Sequence, residues 1–141
     1  LSRTSHQMQL FDHILALRKA YVDHMNKSLI HFGLSSAQWL VLKIIVRKQS
    51  TTLVEIAKIR NIEKPTATKI IQFLIQNEFI ESTVGQDKRS RLLTPTHKGY
   101  TTYEEVMIVI ESVQTNYLEN IDSDTLLTIN EALSTVKVSE E

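Results

Sequence analysis

In 141 residues the chain has no cysteine, three glycines and two prolines. Without cysteine it has no disulfide framework, no thiolate zinc site and no thiol redox sensor, which suits a cytosolic (cytoplasmic) protein. So little glycine and proline speaks against an all-β fold, with its many turns, and for long helices. Long apolar runs are missing as well. The strongest, Trp39 to Val46, is interrupted by Lys43 and is far too short to cross a bilayer, so no membrane partner is expected. No charged segment followed by an apolar one opens the chain, and its start at Leu1 rather than Met suggests trimming. Enzymatic signatures are also absent: there is no glycine-rich phosphate loop, no His-Glu metal-binding helix and no close carboxylate pair in a predicted cleft. No catalytic residue, cofactor or metal ion is therefore expected.

The formal charge of zero conceals an uneven distribution. Residues 1–57 carry seven Lys or Arg against three Asp or Glu, and residues 58–98 carry eight against four. Residues 99–141 reverse the balance, with Lys137 alone against nine acids. A polyanionic partner is thus steered to the middle of the chain and away from its end.

From about Ser5 to Phe32 nothing breaks a helix. Met8, Phe11, Leu15, Val22, Met25 and Leu29 form one apolar seam along it. A second seam lies roughly opposite and runs through His6, Leu10, His13, Leu17, Ala20 or Tyr21, His24, Ser28 and His31. Two seams need two neighbours: one is the protein's own body, the other a second subunit or the far end of the chain. Gly33 stops this helix, and Ser35 to Gln38 reads as a capping box for an apolar helix ending near Lys48. After the polar turn at Gln49 to Thr52, a short helix runs to about Arg60, and Asn61 suits the left-handed conformation of a tight interhelical turn. Ile62 is placed to plug the core from that turn.

The next stretch, Asn61 to Asn77, organises the rest. On a helix Ala67, Ile70, Ile71 and Leu74 share one face, and Pro65, Thr68, Lys69, Gln72 and Gln76 cover the other. The outer face bears no carboxylate, and its small first-turn residues let a helix end approach a surface, as entry into a DNA groove requires. A short helix, a tight turn and a second helix with a polar face make a helix-turn-helix pattern. Two β-prone runs follow, Phe79 to Val84 and Arg91 to Pro95, around a charged tip containing Asp87, Lys88 and Arg89. Helices then resume at Thr96, break at Ile121 to Asp124 and continue from a cap at Asp122 or Ser123 through Val136.

Each side chain suggests a role on double-stranded DNA. Lys64, Thr66, Thr68 and Lys69 suit phosphate contacts that set register, whereas Pro65 and Gln72 suit base edges, through a thymine methyl and an adenine amide pair. Arg89, with Lys88 and Arg91 beside it, suits a minor groove, where negative potential concentrates, and Asp87 is better placed to orient Arg89 or Arg91 than to touch DNA.

Leu34 to Leu42, Ile56-Ala57, Lys64 to Lys69, Asp87-Lys88-Arg89-Ser90-Arg91 and Thr96-His97-Lys98-Gly99 together resemble the MarR family of bacterial winged-helix regulators. The order and spacing match along nearly the whole chain. The wing pattern of Asp, any residue and Arg, followed by a Thr and a Gly, is the most specific part. The fold this implies is mainly α with a small β-hairpin wing: a winged helix-turn-helix over residues 34–98, flanked by dimerisation helices at 1–33 and 99–141. The resemblance further implies a homodimer reading a pseudo-palindromic operator, and a small-molecule effector crevice between lobe and dimerisation helices, for which Tyr21, Trp39 and Tyr103 are the aromatic candidates. Repression by promoter occlusion is the simpler expectation. Glu63, Arg60, Glu78 and Pro95 depart from the residues common in the family at those places. The alternative reading is a winged-helix module that binds an acidic protein.

His6, His13, His24 and His31 fall within about 20° of one line on the first helix. Neighbours seven apart are about 10 Å apart along the axis, too far to share a metal within one helix. A proton-sensitive or metal-bridged seam between subunits is the sharper reading, and polar residues at an interface edge the plainer one.

Overall fold

The computed structural model describes residues 1–85 and 90–138. Its elements are α1 (Arg3–Leu29), a 3-10 turn (Ile30–Phe32), α2 (Ser36–Lys48), α3 (Leu53–Arg60), α4 (Lys64–Gln76), β1 (Ile80–Val84), β2 (Arg91–Pro95), α5 (His97–Tyr117) and α6 (Ser123–Ser134).

Helix ends follow local chemistry. Ser2, Ser35, Thr52, Thr96 and Asp122 each accept a hydrogen bond from a first-turn N–H at their helix. At α2 the box is complete, because the Gln38 side chain also accepts from the Ser35 N–H at 2.8 Å. Asp122 accepts from the Thr125 N–H at 2.7 Å, which holds its carboxyl below the usual range. Gly33 at φ 70° closes the 3-10 turn, and Asn61 at φ 52° makes the turn from α3 into α4.

The core is built around α2. Trp39, Val41, Leu42 and Ile45 are buried in it and meet Met25 and Leu29 of α1, Ile56 of α3, Ile71 and Leu74 of α4, and Val106 and Ile110 of α5. Each such side chain contributes about 1.5–3 kcal/mol of burial, so α2 fixes where α4 lies. Asn26 ties α1 to this body by accepting the Ser36 N–H at 2.7 Å. Ile62 is only half-buried in the turn and stays outside the core cluster.

β1 and β2 pair antiparallel, with Ile80 opposite Pro95 and Val84 opposite Arg91. Thr51 adds a one-residue bridge: its N–H donates to the Leu93 carbonyl at 3.1 Å, and the Leu93 N–H returns the bond at 2.8 Å. The polar turn before α3 is thus also the third edge of the wing sheet.

The hairpin is locked at its base. Thr96 donates its hydroxyl to the Glu78 carbonyl at 2.6 Å while accepting from the Gly99 N–H at 3.0 Å. A β-carbon at Gly99 would collide with the Phe79 carbonyl oxygen, so only glycine lets α5 start this close to β1. Lys98 donates to the Asn77 carbonyl at 2.8 Å and lies over the Phe79 ring. Glu78 itself stands at φ 65°, a left-handed conformation that costs a side-chain residue about 1–2 kcal/mol.

Both ends of the chain are uncovered. No residue from Arg3 to Ala20 is buried, and none in α6 is. Phe11 is 56% exposed and Leu15 64%. The seam predicted along the first helix therefore divides: Met25 and Leu29 enter the core, while Met8, Phe11 and Leu15 face solvent. The last helix stops at Ser134, short of the expected Val136. No single helix among the described residues is long and apolar enough to cross a membrane.

Candidate nucleic-acid interface

α4 presents the two faces read from its sequence. Ala67, Ile71 and Leu74 are buried and Ile70 and Phe73 half-buried, whereas Lys64, Pro65, Thr66, Lys69, Gln72 and Gln76 are exposed. Packing against α2 and α3 holds the inner face, so the outer one is presented rigidly. Glu63 occupies the N-cap but accepts no hydrogen bond from the first turn, and Pro65 has no N–H to offer. The first-turn N–H groups of α4 thus have no side-chain cap.

One expected contact differs. The Thr68 hydroxyl donates to the Lys64 carbonyl at 2.9 Å, and the residue is half-buried. Threonine inside a helix satisfies itself on the preceding turn in this way. The exposed hydroxyl and ammonium groups on the outer face of α4 are therefore those of Thr66, Lys64 and Lys69.

The wing strands stand beside α4. Thr52, Leu53, Lys64, Ile71, Ser82 and Arg91, with their neighbours, line a groove of about 700 Å³ between α3, α4 and the hairpin. Arg91 is bound within the wing: its Nε donates to Ser82 Oγ at 2.6 Å and a terminal nitrogen donates to the Ser82 carbonyl at 3.2 Å. This clamp fixes the two strands in register next to the tip and gives Arg91 a positioning role that spacing alone did not reveal. Asp87, Lys88 and Arg89 lie outside the described residues.

The three aromatics do not share a crevice. Trp39 is 1% exposed and stacks on Tyr103, with ring centroids 5.6 Å apart. Tyr21 lies elsewhere, accepting a hydrogen bond from Gln114 at 2.8 Å and meeting Tyr117 edge to face at 6.1 Å. Leu17, Tyr21, Gln114, Tyr117 and Leu118 line a small apolar cavity of about 170 Å³ between α1 and α5. Trp39 is a core residue, closed off by the helices around it. Of the histidine stripe, His24 meets the Tyr117 ring at 5.9 Å, and no three metal-ligating side chains cluster among the described residues.

A tightly turned helix pair, with its second helix presented outward beside a β-hairpin and free of acids on its outer face, defines a winged helix-turn-helix DNA-binding protein. The comparisons with known proteins agree, and the chain belongs to the MarR family of transcriptional regulators. Residues 34–90 match the MarR family itself. An uncharacterized HTH-type transcriptional regulator of Staphylococcus aureus is 36% identical over 108 residues, spanning 75% of this chain and 73% of its own. Staphylococcus aureus MarR, solved in complex with salicylate and kanamycin, is 31% identical with a TM-score of 0.83, over 92% of this chain and 89% of that one. A mutant of Escherichia coli MarR complexed with operator DNA shares the fold, with a TM-score of 0.82 at 20% identity over 95% and 97% of the two chains.

Proposed function

We propose that the protein is a homodimeric repressor that binds a pseudo-palindromic operator through α4 and the wing and is released by a small-molecule effector. The observation that carries the DNA reading is the rigid outer face of α4, with Lys64, Pro65, Thr66, Lys69 and Gln72 exposed and no acid among them. Phosphate contacts from Lys64, Thr66 and Lys69 set the register, Pro65 and Gln72 meet base edges, and Arg89 extends the contact to a minor groove. The acids of residues 99–141 keep the far end of the subunit off the duplex.

Dimerisation rests on the uncovered apolar stripes of α1 and α6. Stripes of that extent mark an interaction surface, and a second copy of the chain is the occupant read here. The effector reading is supported by likeness to the Staphylococcus aureus protein bound to salicylate and kanamycin. A mobility-shift titration over increasing salt tests the DNA reading: log affinity should fall linearly with log salt, by about 0.9 per phosphate neutralised. Binding that is absent at low salt, or insensitive to it, contradicts this function and favours an acidic protein partner.

A further inference from the structure

The residue that introduces α4 is an acid set among cations. Val54 and Lys58 of α3, Asn61 of the turn, and Glu63, Lys64 and Thr66 line an open groove of about 810 Å³ on the helix pair. Glu63 is the only carboxylate among the described residues on that groove. Its place is fixed by backbone bonds on both sides. The Ile62 N–H donates to the Ala57 carbonyl at 3.0 Å, and the Glu63 carbonyl accepts from the Ala67 N–H at 3.0 Å. Glu63 itself is extended, with φ −66° and ψ 147°, and exposed.

The Glu63 side chain does little for the subunit. It accepts no hydrogen bond from the first turn of α4, whereas Ser35 and Asp122 do so at their own helices. It pairs with neither Lys58 nor Lys64, because the one ion pair among the described residues joins Lys19 to Asp23. Its negative charge also opposes the attraction of those lysines for a polyanion. An acid here thus lowers both helix capping and general affinity for DNA, and what it can add is selectivity. The first residues of a recognition helix are the ones that meet base edges. In the major groove a carboxylate is repelled by the N7 and O6 acceptors of guanine and accepts from the N4 amino group of cytosine.

We propose that Glu63 is a specificity-determining residue whose carboxylate accepts a hydrogen bond from a cytosine N4 amino group at one position of each half-site. Adenine offers an amino donor too, but its N7 acceptor lies alongside and repels the second carboxylate oxygen. Lys58 and Lys64 on the same groove offset the charge of Glu63 against the phosphates. The role deepens the DNA reading and rests on it: Lys64, Thr66 and Lys69 hold any duplex, and Glu63 turns away those without the cytosine.

The full chain, Glu63→Ser and Glu63→Gln are each used to select bound fragments from a random duplex pool, and the enriched sequence is then titrated with single-base changes at constant salt. Wild type should enrich cytosine at one position per half-site and bind the changed base about tenfold more weakly. Glu63→Ser, which supplies a good cap, should lose the preference at that position alone and bind unrelated duplex at least as tightly as wild type. Glu63→Gln should move the preference to adenine, whose N6 and N7 pair an amide fits. A residue serving only the helix end gives a different result: Glu63→Ser then enriches the wild-type operator with every position unchanged, and the proposal is overturned. Uniformly weaker binding by Glu63→Ser with the same preference overturns it too. Should Glu63→Ser fail to fold by circular dichroism, Glu63→Gln supplies the comparison. The two ideas stay apart, because an operator shared by all three proteins contradicts only the role of Glu63, whereas wild type that retards no duplex at low salt contradicts the DNA reading and that role together.

Discussion

α2 and α6 are both amphipathic, capped helices of similar length, yet α2 buries Trp39, Val41, Leu42 and Ile45 while α6 buries nothing. α1 holds the same contrast within one helix, with Met25 and Leu29 in the core and Phe11 and Leu15 in solvent. An apolar stripe states only that a face must be covered. In the winged-helix lobe the subunit covers its own stripes; in the first two thirds of α1 and in α6 they are left uncovered. On the proposed function, the lobe supplies the reading surface and the ends supply its pairing.

The largest expected effect breaks that division outright. Phe11→Glu with Leu15→Glu should abolish the dimer, halving the mass in sedimentation at micromolar concentration, while the lobe still unfolds cooperatively on heating. An undiminished mass would assign the stripe to something other than a second copy. Next, Gly99→Ala forces α5 off the Phe79 carbonyl and should cost about 3 kcal/mol in urea unfolding, at the upper end for overpacking. Equal stability would show that the base of the wing is looser than its hydrogen bonds indicate. Gln72→Ala should relax preference at one operator position by roughly 2 kcal/mol, as expected for a lost amide pair to a base. Selection on random duplexes reads this directly. Arg89→Ala should weaken binding to many sequences by about tenfold and make the salt slope shallower by about 0.9. If neither changes, the wing tip does not touch DNA. Smallest is Glu78→Gly, which removes a left-handed strain and should stabilise the lobe by about 0.5–1 kcal/mol, read as a raised melting temperature.

Much of the lobe was legible because its signals are local. The Ser35 to Gln38 box, the turn at Asn61 and the two faces of α4 each depend on residues within a few positions of one another, as does the cap at Asp122 beyond the lobe. What depended on distant partners was not legible. Thr51 reads as a polar turn residue until Leu93 pairs with it, and Gly99 reads only as part of the family pattern until the Phe79 carbonyl lies against it. Arg91 reads as a DNA-facing cation beside the tip, yet Ser82, nine positions away on the facing strand, holds it. Thr68 has the outward spacing expected of a DNA contact, but its hydroxyl satisfies the turn behind it. The aromatic candidates were chosen by residue type, and type does not distinguish a core stack from a crevice wall.

The central claim is that one rigid helix face, doubled by the ends of the chain, reads DNA. Selecting bound fragments from a random duplex pool tests this most directly. The account predicts two inverted half-sites centred about one helical turn, roughly 10 base pairs, apart. Recovery of a single half-site, or of no enriched sequence under conditions where the protein is folded, would contradict it.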